Sequence, residues 1–299
     1  MNTENKRFSI EKYGLEESQR ILEYWTPERK ATAKPFSPLK ITSENLNEPT
    51  NFISAEIGKP FEADVKRLPF YKAGKFFFTK DNKDIWGSAQ FVGHCQIVLT
   101  AAHCVRDIKT GELYKNLLFS LGYIDGEKSK DYVFDNIGTP DEYVGRDPND
   151  INKVDFDYAF CRTTERSESG QMVLQIGMPY PPFQRIWSIG YPEEKDYGEG
   201  KRMYAVEGAR GDIRGGRVAM GFNPFYEGGS SGGAWIVNLT NGGTGSRFDN
   251  IVVGINSAAS ENRDHMAMYS PYFNQNTLSL FNEVLDATIE NPRRCDIIP

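Results

Sequence analysis

A serine set among glycines, in the run FYEGGSSGGAWIV from Phe225 to Val237, has the residue type and the setting for nucleophilic chemistry. Glycine has no Cβ, so the backbone can coil tightly or come close to a reacting group. Ser231 becomes a useful nucleophile only if a base takes its proton and a third group orients that base. The base is normally a histidine, and the chain has three: His94, His103 and His265. His103 ends the apolar run VLTAAHC, whose small residues leave room for an imidazole to face a cleft. His94, in VGHC, reads as a solvated turn tip, and His265 follows the polar SENRD. The third member should be a buried acid, and KVDFDYAF offers Asp155 and Asp157. Asp157 directly precedes the apolar run and so enters a strand; Asp155 is the alternative.

Three groups scattered over more than a hundred residues need a rigid frame. From residue 67 the chain is a series of short runs rich in β-branched and aromatic residues, among them GKFFFT, SAQFVG, QIVLTAA, NLLFSLGY, QRIWSIGYP, AWIVNL and NIVVGINSA. Turn residues punctuate them, as in KDNKD, GYPEEKDYGEG and NGGTGS. That texture predicts an all-β chain rather than alternating βα units. About a dozen strands are too many for one small barrel, so two antiparallel six-stranded β-barrels are expected. The expected divisions are residues 1–63 as a polar N-terminal extension, 64–168 as a barrel carrying His and Asp, and 169–299 as a barrel carrying Ser, with the link near RTTERSESGQM. Leu15, Ile21, Leu22 and Trp25 give the extension one partial helical face. In NTLSLFNEVLDATIE, Leu278, Phe281, Leu285 and Ile289 fall at helical spacing, which predicts a C-terminal helix capped by Asn276 or Thr277.

Composition narrows the partners. A net charge of −6 and a pI of about 5.3 argue against nucleic acid, whose phosphates need a basic face, and against attraction to an anionic membrane. No run approaches the ~20 apolar residues of a membrane span, and the N-terminal stretch lacks the apolar core of a secretory signal. No His, Cys or carboxylate cluster has metal spacing, so neither metal nor other cofactor is expected. Cys95 and Cys104 bracket a strand whose extended rise keeps their sulfurs apart, which argues against that bridge, whereas Cys161 with Cys295 stays open. GGSSGG also fits the G-x-S-x-G elbow of α/β-hydrolases, but that fold requires a helix after the serine and the order Ser, Asp, His. Here a strand-like run follows, and His103 comes first.

LTAAHC, DYAF and GGSSGGAW, in that order, resemble the trypsin-like serine peptidases, most of all the branch with glutamyl endopeptidases and related secreted bacterial enzymes. GYPEEKDYGEGKRMY resembles the G-Y-P segment of that branch, and EYWTPERKATAKP its prosegment. The resemblance implies a chymotrypsin-like fold and endopeptidase activity on polypeptides by a monomer, with His103 as base, Asp157 as its orienter and Ser231 as nucleophile. It places Gly229 and Ser231 in the oxyanion hole and Ser257 beside the Asp. Phe225, Tyr226, Asn256 and Ser257 are then substrate-binding, and Phe225 and Asn256 stand where trypsin-type and glutamyl specificity residues belong, which suits an uncharged side chain. Ser230 replaces the Asp that pairs with a freed N-terminus in trypsin, and Ser88 stands near the usual partner of the cysteine after the histidine. A zymogen cut near residues 55–68 is one expectation, and a catalytically silent binding module is the alternative. A histidine base also implies loss of activity below roughly pH 6.

Overall fold

The computed structural model describes residues 8–37, 39–41, 58–128, 130–148, 150–177, 185–221, 224–225, 227–240, 249–260 and 267–285. Two sheets dominate. The first runs in the order Phe8–Lys12, Phe134–Pro140, Ala159–Thr163, Ile97–Thr100, Lys83–Phe91, Ala73–Lys80, Lys115–Leu121 and Lys130–Tyr132, all antiparallel. The second runs Val173–Leu174, Ile251–Ile255, Ala234–Val237, Arg185–Gly190, Tyr204–Arg214, Arg217–Gly221, Met268–Pro271, Ala258–Ser260 and Leu39–Ile41. This is the expected all-β, chymotrypsin-like double barrel with a short C-terminal helix. Among the described residues the sheets hold nine and ten strands rather than six each, and short strands from the first 62 residues, two in each sheet, make up part of the excess. Lys34–Pro35 pairs in parallel with Ile85–Trp86, Leu39–Ile41 in parallel with Ala258–Ser260, and Phe61–Glu62 antiparallel with Tyr204–Ala205.

The strand Ala73–Lys80 shows why the N-terminal residues dock. Alternate side chains of a strand point to opposite faces, yet Phe76, Phe77 and Phe78 are all buried. Phe76 faces inward against Phe134, at 5.7 Å between ring centroids. Phe77 needs a cover on the other face, which Trp25 provides at 5.2 Å. Trp25 follows the helix Leu15–Tyr24, and its indole N–H donates to the Asn116 carbonyl at 2.6 Å. The face expected of this helix is only half realised: Ile21 and Trp25 are buried, whereas Leu15 and Leu22 are exposed. The following helix, Pro27–Thr32, inserts the buried Lys30 against the partly exposed Asp131 at 2.7 Å, an ion pair onto the first sheet. The N-terminal segment is therefore a packed element.

The C-terminal helix Gln275–Leu285 lies on the first sheet, where Asn136 Nδ2 donates to the Val284 carbonyl at 2.7 Å and Phe281 meets Phe160 edge-on. Its cap is Asn274, not Asn276 or Thr277. The Asn274 side chain accepts from Asn276 N–H at 2.8 Å, and Thr277 Oγ1 accepts in return from Asn274 N–H at 3.1 Å. Ile289 lies outside the described residues. Cys104 and Cys161 are free and buried, so neither the Cys95–Cys104 nor the Cys161–Cys295 bridge is made; Cys95 itself is disulfide-bonded, and Cys295 lies outside the described residues. Among the described residues no helix is long and apolar enough to cross a membrane.

Candidate active site

His103 sits in a single 3-10 turn, Ala102–Cys104, that ends the buried strand Ile97–Thr100. The acid arrives from the first sheet as well. A 3-10 turn, Ile151–Phe156, closes immediately before Asp157 and turns that side chain inward ahead of Ala159–Thr163. Asp157 is wholly buried and accepts three hydrogen bonds. They come from His103 N–H at 2.8 Å, from His103 Nδ1–H at 2.7 Å, and from the hydroxyl of Ser257. Asp155 is used elsewhere: it pairs with Arg217 at 2.8 Å and accepts from Gly216 N–H at 3.1 Å. Of the two acids, Asp157 is the one that meets His103.

Ser231 comes from the second sheet, on the loop that leads into Ala234–Val237. The first sheet holds that loop at several points. Ser88 N–H donates to the Ser231 carbonyl at 2.7 Å, and Gln90 Nε2 to the Gly232 carbonyl at 3.1 Å. The Ser88 hydroxyl accepts from Tyr191 N–H at 3.0 Å and donates to the Gly229 carbonyl at 2.8 Å. Ser88 thus ties the two barrels together where the resemblance places a disulfide. The glycines are required by space. Gly229 has φ +79°, and a Cβ there would lie 2.3 Å from the Tyr191 carbonyl oxygen. A Cβ on Gly233 would lie 2.0 Å from the Ile189 carbonyl oxygen.

His103 and Ser231 are both buried, and neither His103 Nε2 nor Ser231 Oγ has a protein hydrogen-bond partner. Lying over the imidazole is Phe36, stacked at 5.2 Å and 23°. The Phe36 carbonyl accepts from Gly229 N–H at 3.0 Å, the donor that the resemblance assigns to the oxyanion hole. Burial by itself lowers the pKa of His103, but the charge of Asp157, with smaller contributions from Cys104 and the hydrogen bond, overcomes it and raises the value to about 10. The base would therefore stay protonated well above the expected pH 6 while this arrangement persists.

The other expected residues divide. Ser257 is where it was expected. Asn256 is wholly buried, and its side chain is fully engaged within the protein. Its Oδ1 accepts from Ser188 Oγ at 2.7 Å and Trp235 Nε1 at 2.8 Å, and its Nδ2 donates to the carbonyls of Ile189 and Ser230, each at 3.0 Å. Asn256 has no polar atom left for a substrate and serves as a brace under the nucleophile loop. Phe225 is wholly buried against Tyr197, at 5.7 Å between centroids, and its carbonyl accepts from Ser230 Oγ at 3.4 Å. Tyr226 and His265 lie outside the described residues. His94 is half-buried rather than solvated, with Nδ1 accepting from Gln96 N–H at 3.2 Å. Phe36 was missed because nothing in a polar, proline-rich stretch marks one aromatic ring as the partner of a distant histidine. Among the described residues no group of His, Cys, Asp and Glu could hold a metal ion.

The fold has counterparts in known structures. A thermostable serine protease, AL20, from an extremophilic microorganism superposes with a TM-score of 0.60 and 22% identity, covering 71% of this chain and 96% of its own. A Glu endopeptidase superposes with a TM-score of 0.57 and 14% identity, over 75% and 95% of the two chains. The chain has the fold of the trypsin-like serine proteases. An inactivated protease paralogue of the scabies mite, S-I1, shares that fold as well, with a TM-score of 0.56, 12% identity and 76% and 99% coverage. No protein-family model matches the sequence, and no curated protein is significantly similar to it.

Proposed function

We propose that this chain is a serine endopeptidase that hydrolyses peptide bonds through an acyl-enzyme. The observation that carries the reading is the buried Asp157–His103 pair, joined by two hydrogen bonds, on the same sheet that holds the glycine-framed Ser231 loop through Ser88 and Gln90. Asp157 fixes the tautomer that carries hydrogen on Nδ1, which leaves Nε2 to act as base. Ser231 Oγ attacks the peptide carbonyl, His103 Nε2 takes its proton and returns it to the leaving amine, and water then cleaves the acyl-enzyme by the same route. The N–H groups of Gly229 and Ser231 receive the oxyanion, a contribution typically worth ~10²–10³ in rate per donor. The enzyme is made as a zymogen and matures by cleavage near residues 55–68.

The alternative, a silent binding module, is favoured by the absence of a Ser231–His103 hydrogen bond and by the likeness to an inactivated paralogue. Ser231→Ala separates the two. On the peptidase reading it abolishes both peptide hydrolysis by the matured protein and its labelling by a serine-directed phosphonate. Unchanged hydrolysis in the Ala variant would refute the assignment, and absence of labelling in the matured parent protein would favour the binding module.

A further inference from the structure

We infer that residues 34–37 and 39–41 form an inhibitory strap across the cleft, with Phe36 as the residue that closes the reaction centre. The inference rests on the peptidase reading and adds how that site is held silent. Both backbone groups of Phe36 are spent on the cleft. Its N–H donates to the Trp86 carbonyl at 2.8 Å, on the first sheet, and its carbonyl accepts from Gly229 N–H at 3.0 Å, on the second. One residue therefore spans both walls. Its ring stacks on His103 at 5.2 Å, so the same residue blocks a face of the base and occupies a donor needed by the oxyanion.

The strap is tied down at both ends. Upstream, Trp25 packs on Phe77 and Lys30 pairs with Asp131. Lys34–Pro35 then adds to the edge at Ile85–Trp86, where the proline, lacking an N–H, leaves no orphan donor. Downstream, Leu39–Ile41 extends the strand Ala258–Ser260, immediately beyond the Ser257 that holds Asp157. Ile41 is wholly buried in a cluster with Val154, Ala219 and Tyr269. The nucleophile loop is shaped to the strap too: a Cβ added to Gly228 would lie 3.0 Å from the Phe36 carbonyl oxygen and 3.1 Å from Pro35 Cβ. Phe36 itself is partly buried: its ring packs on Phe78 at 5.5 Å between centroids as well as on His103, which ties the closure of the cleft to the edge of the core. Because the ties are non-covalent and lie on both barrels, a cut beyond residue 41 leaves the strap in place until it dissociates.

The test uses the full chain and a small fluorophosphonate, whose phosphoryl oxygen must take the Gly229 N–H now held by Phe36. Rates of adduct formation are read by intact mass, with the site mapped by digestion, for the parent, Phe36→Ala, Phe36→Tyr and Ser231→Ala. Loss of the stacked ring is expected to speed labelling about tenfold in Phe36→Ala, in line with the energy of an aromatic pair. Phe36→Tyr, which keeps the ring, is expected to stay near the parent rate, and Ser231→Ala to remain unlabelled. Cooperative melts of each variant exclude unfolding as the source of a change. Equal, ready labelling of parent and Phe36→Ala at Ser231 overturns the strap and leaves the peptidase reading standing. No adduct in any folded variant overturns both.

Discussion

Asn256 offers the sharpest check on the site's construction. Its side chain is wholly buried and makes four hydrogen bonds, two accepted from Ser188 and Trp235 and two donated to Ile189 and Ser230. Its backbone adds two more, accepting from Gly232 N–H and donating to the Gly233 carbonyl, each at 2.8 Å. Asn256→Ala removes four buried side-chain hydrogen bonds, of whose partners the Ser230 carbonyl keeps Gly233 N–H, and opens a small cavity. An unsatisfied buried group costs about 1–3 kcal/mol, and the four share one site and do not add, so a loss of about 3–5 kcal/mol is expected. With an unfolding entropy of about 2.1 cal/mol/K per residue, a chain of 299 residues changes by about 0.6 kcal/mol per degree, so the melting temperature should fall by about 5–8 °C.

Asn256→Asp is the discriminating companion. It keeps the shape and the bonds from Ser188 and Trp235 but turns an oxygen toward the carbonyls of Ile189 and Ser230. It should therefore destabilise as well, by about 2–4 kcal/mol, through a buried charge or a lost donor. Urea unfolding with unchanged slope measures both, and phosphonate labelling reports whether Ser231 remains reactive once the Ser230 carbonyl is released. If Asn256 instead read the substrate, the variants would alter KM with stability intact. A loss below about 1 kcal/mol in the Ala variant would refute the brace.

Three further outcomes follow from the charges at the site. A folded-state pKa raised above the unfolded value of about 6.5 contributes stability that is full below that value and is lost as pH climbs through about 10, so the melting temperature of the full chain should fall between pH 6.5 and 10, and His103→Gln should flatten that slope. Since the base must be neutral to act, labelling of the full chain should rise over the same interval; a plateau already reached at pH 7 would show that Asp157 does not hold the imidazolium. The ammonium of Lys153 is wholly buried with no hydrogen-bond partner, and burial lowers its pKa, partly offset by Asp157, Asp147 and Asp150. Lys153→Met should therefore be neutral or stabilise by about 1–2 kcal/mol in urea unfolding, and a loss above about 2 kcal/mol would instead assign Lys153 a supporting role beside Asp157.

What the sequence disclosed was local. A run of apolar residues ending in small ones and then a histidine can be read without a partner, and so can a serine whose neighbouring glycines are forced by carbonyls such as those of Tyr191 and Ile189. Asp157 and Asp155 differ by two positions, and a single 3-10 turn decides which enters the cleft and which meets Arg217. What stayed hidden depends on contacts between distant parts of the chain. Phe225 and Asn256 occupy positions suited to a specificity pocket, but Tyr197 covers the first and four internal bonds consume the second. The N-terminal segment reads as polar overall, yet in its described part Ile21, Trp25, Ala33 and Ile41 are buried against the barrels.

The strap also gives a physical reason why a chain with the proposed His103, Asp157 and Ser231 in place would be as silent as a binding module. Fold likeness does not separate the two, because the frame that positions His103, Asp157 and Ser231 is the same whether or not the cleft is open. The difference lies in what occupies the Gly229 N–H and the face of the imidazole. Here a backbone carbonyl and an aromatic ring of the chain itself do so, while His103 Nε2 and Ser231 Oγ are left without a protein partner. Buried polar atoms in that condition cost about 1–3 kcal/mol each, and the ring contact and the backbone bonds of Phe36 offset a cost of that size. The closed state is then held chiefly by the anchors at Trp25, Lys30 and Ile41, away from the reaction centre. A strap so balanced silences the site without being optimised to fill it, and release of the anchors is enough to open it.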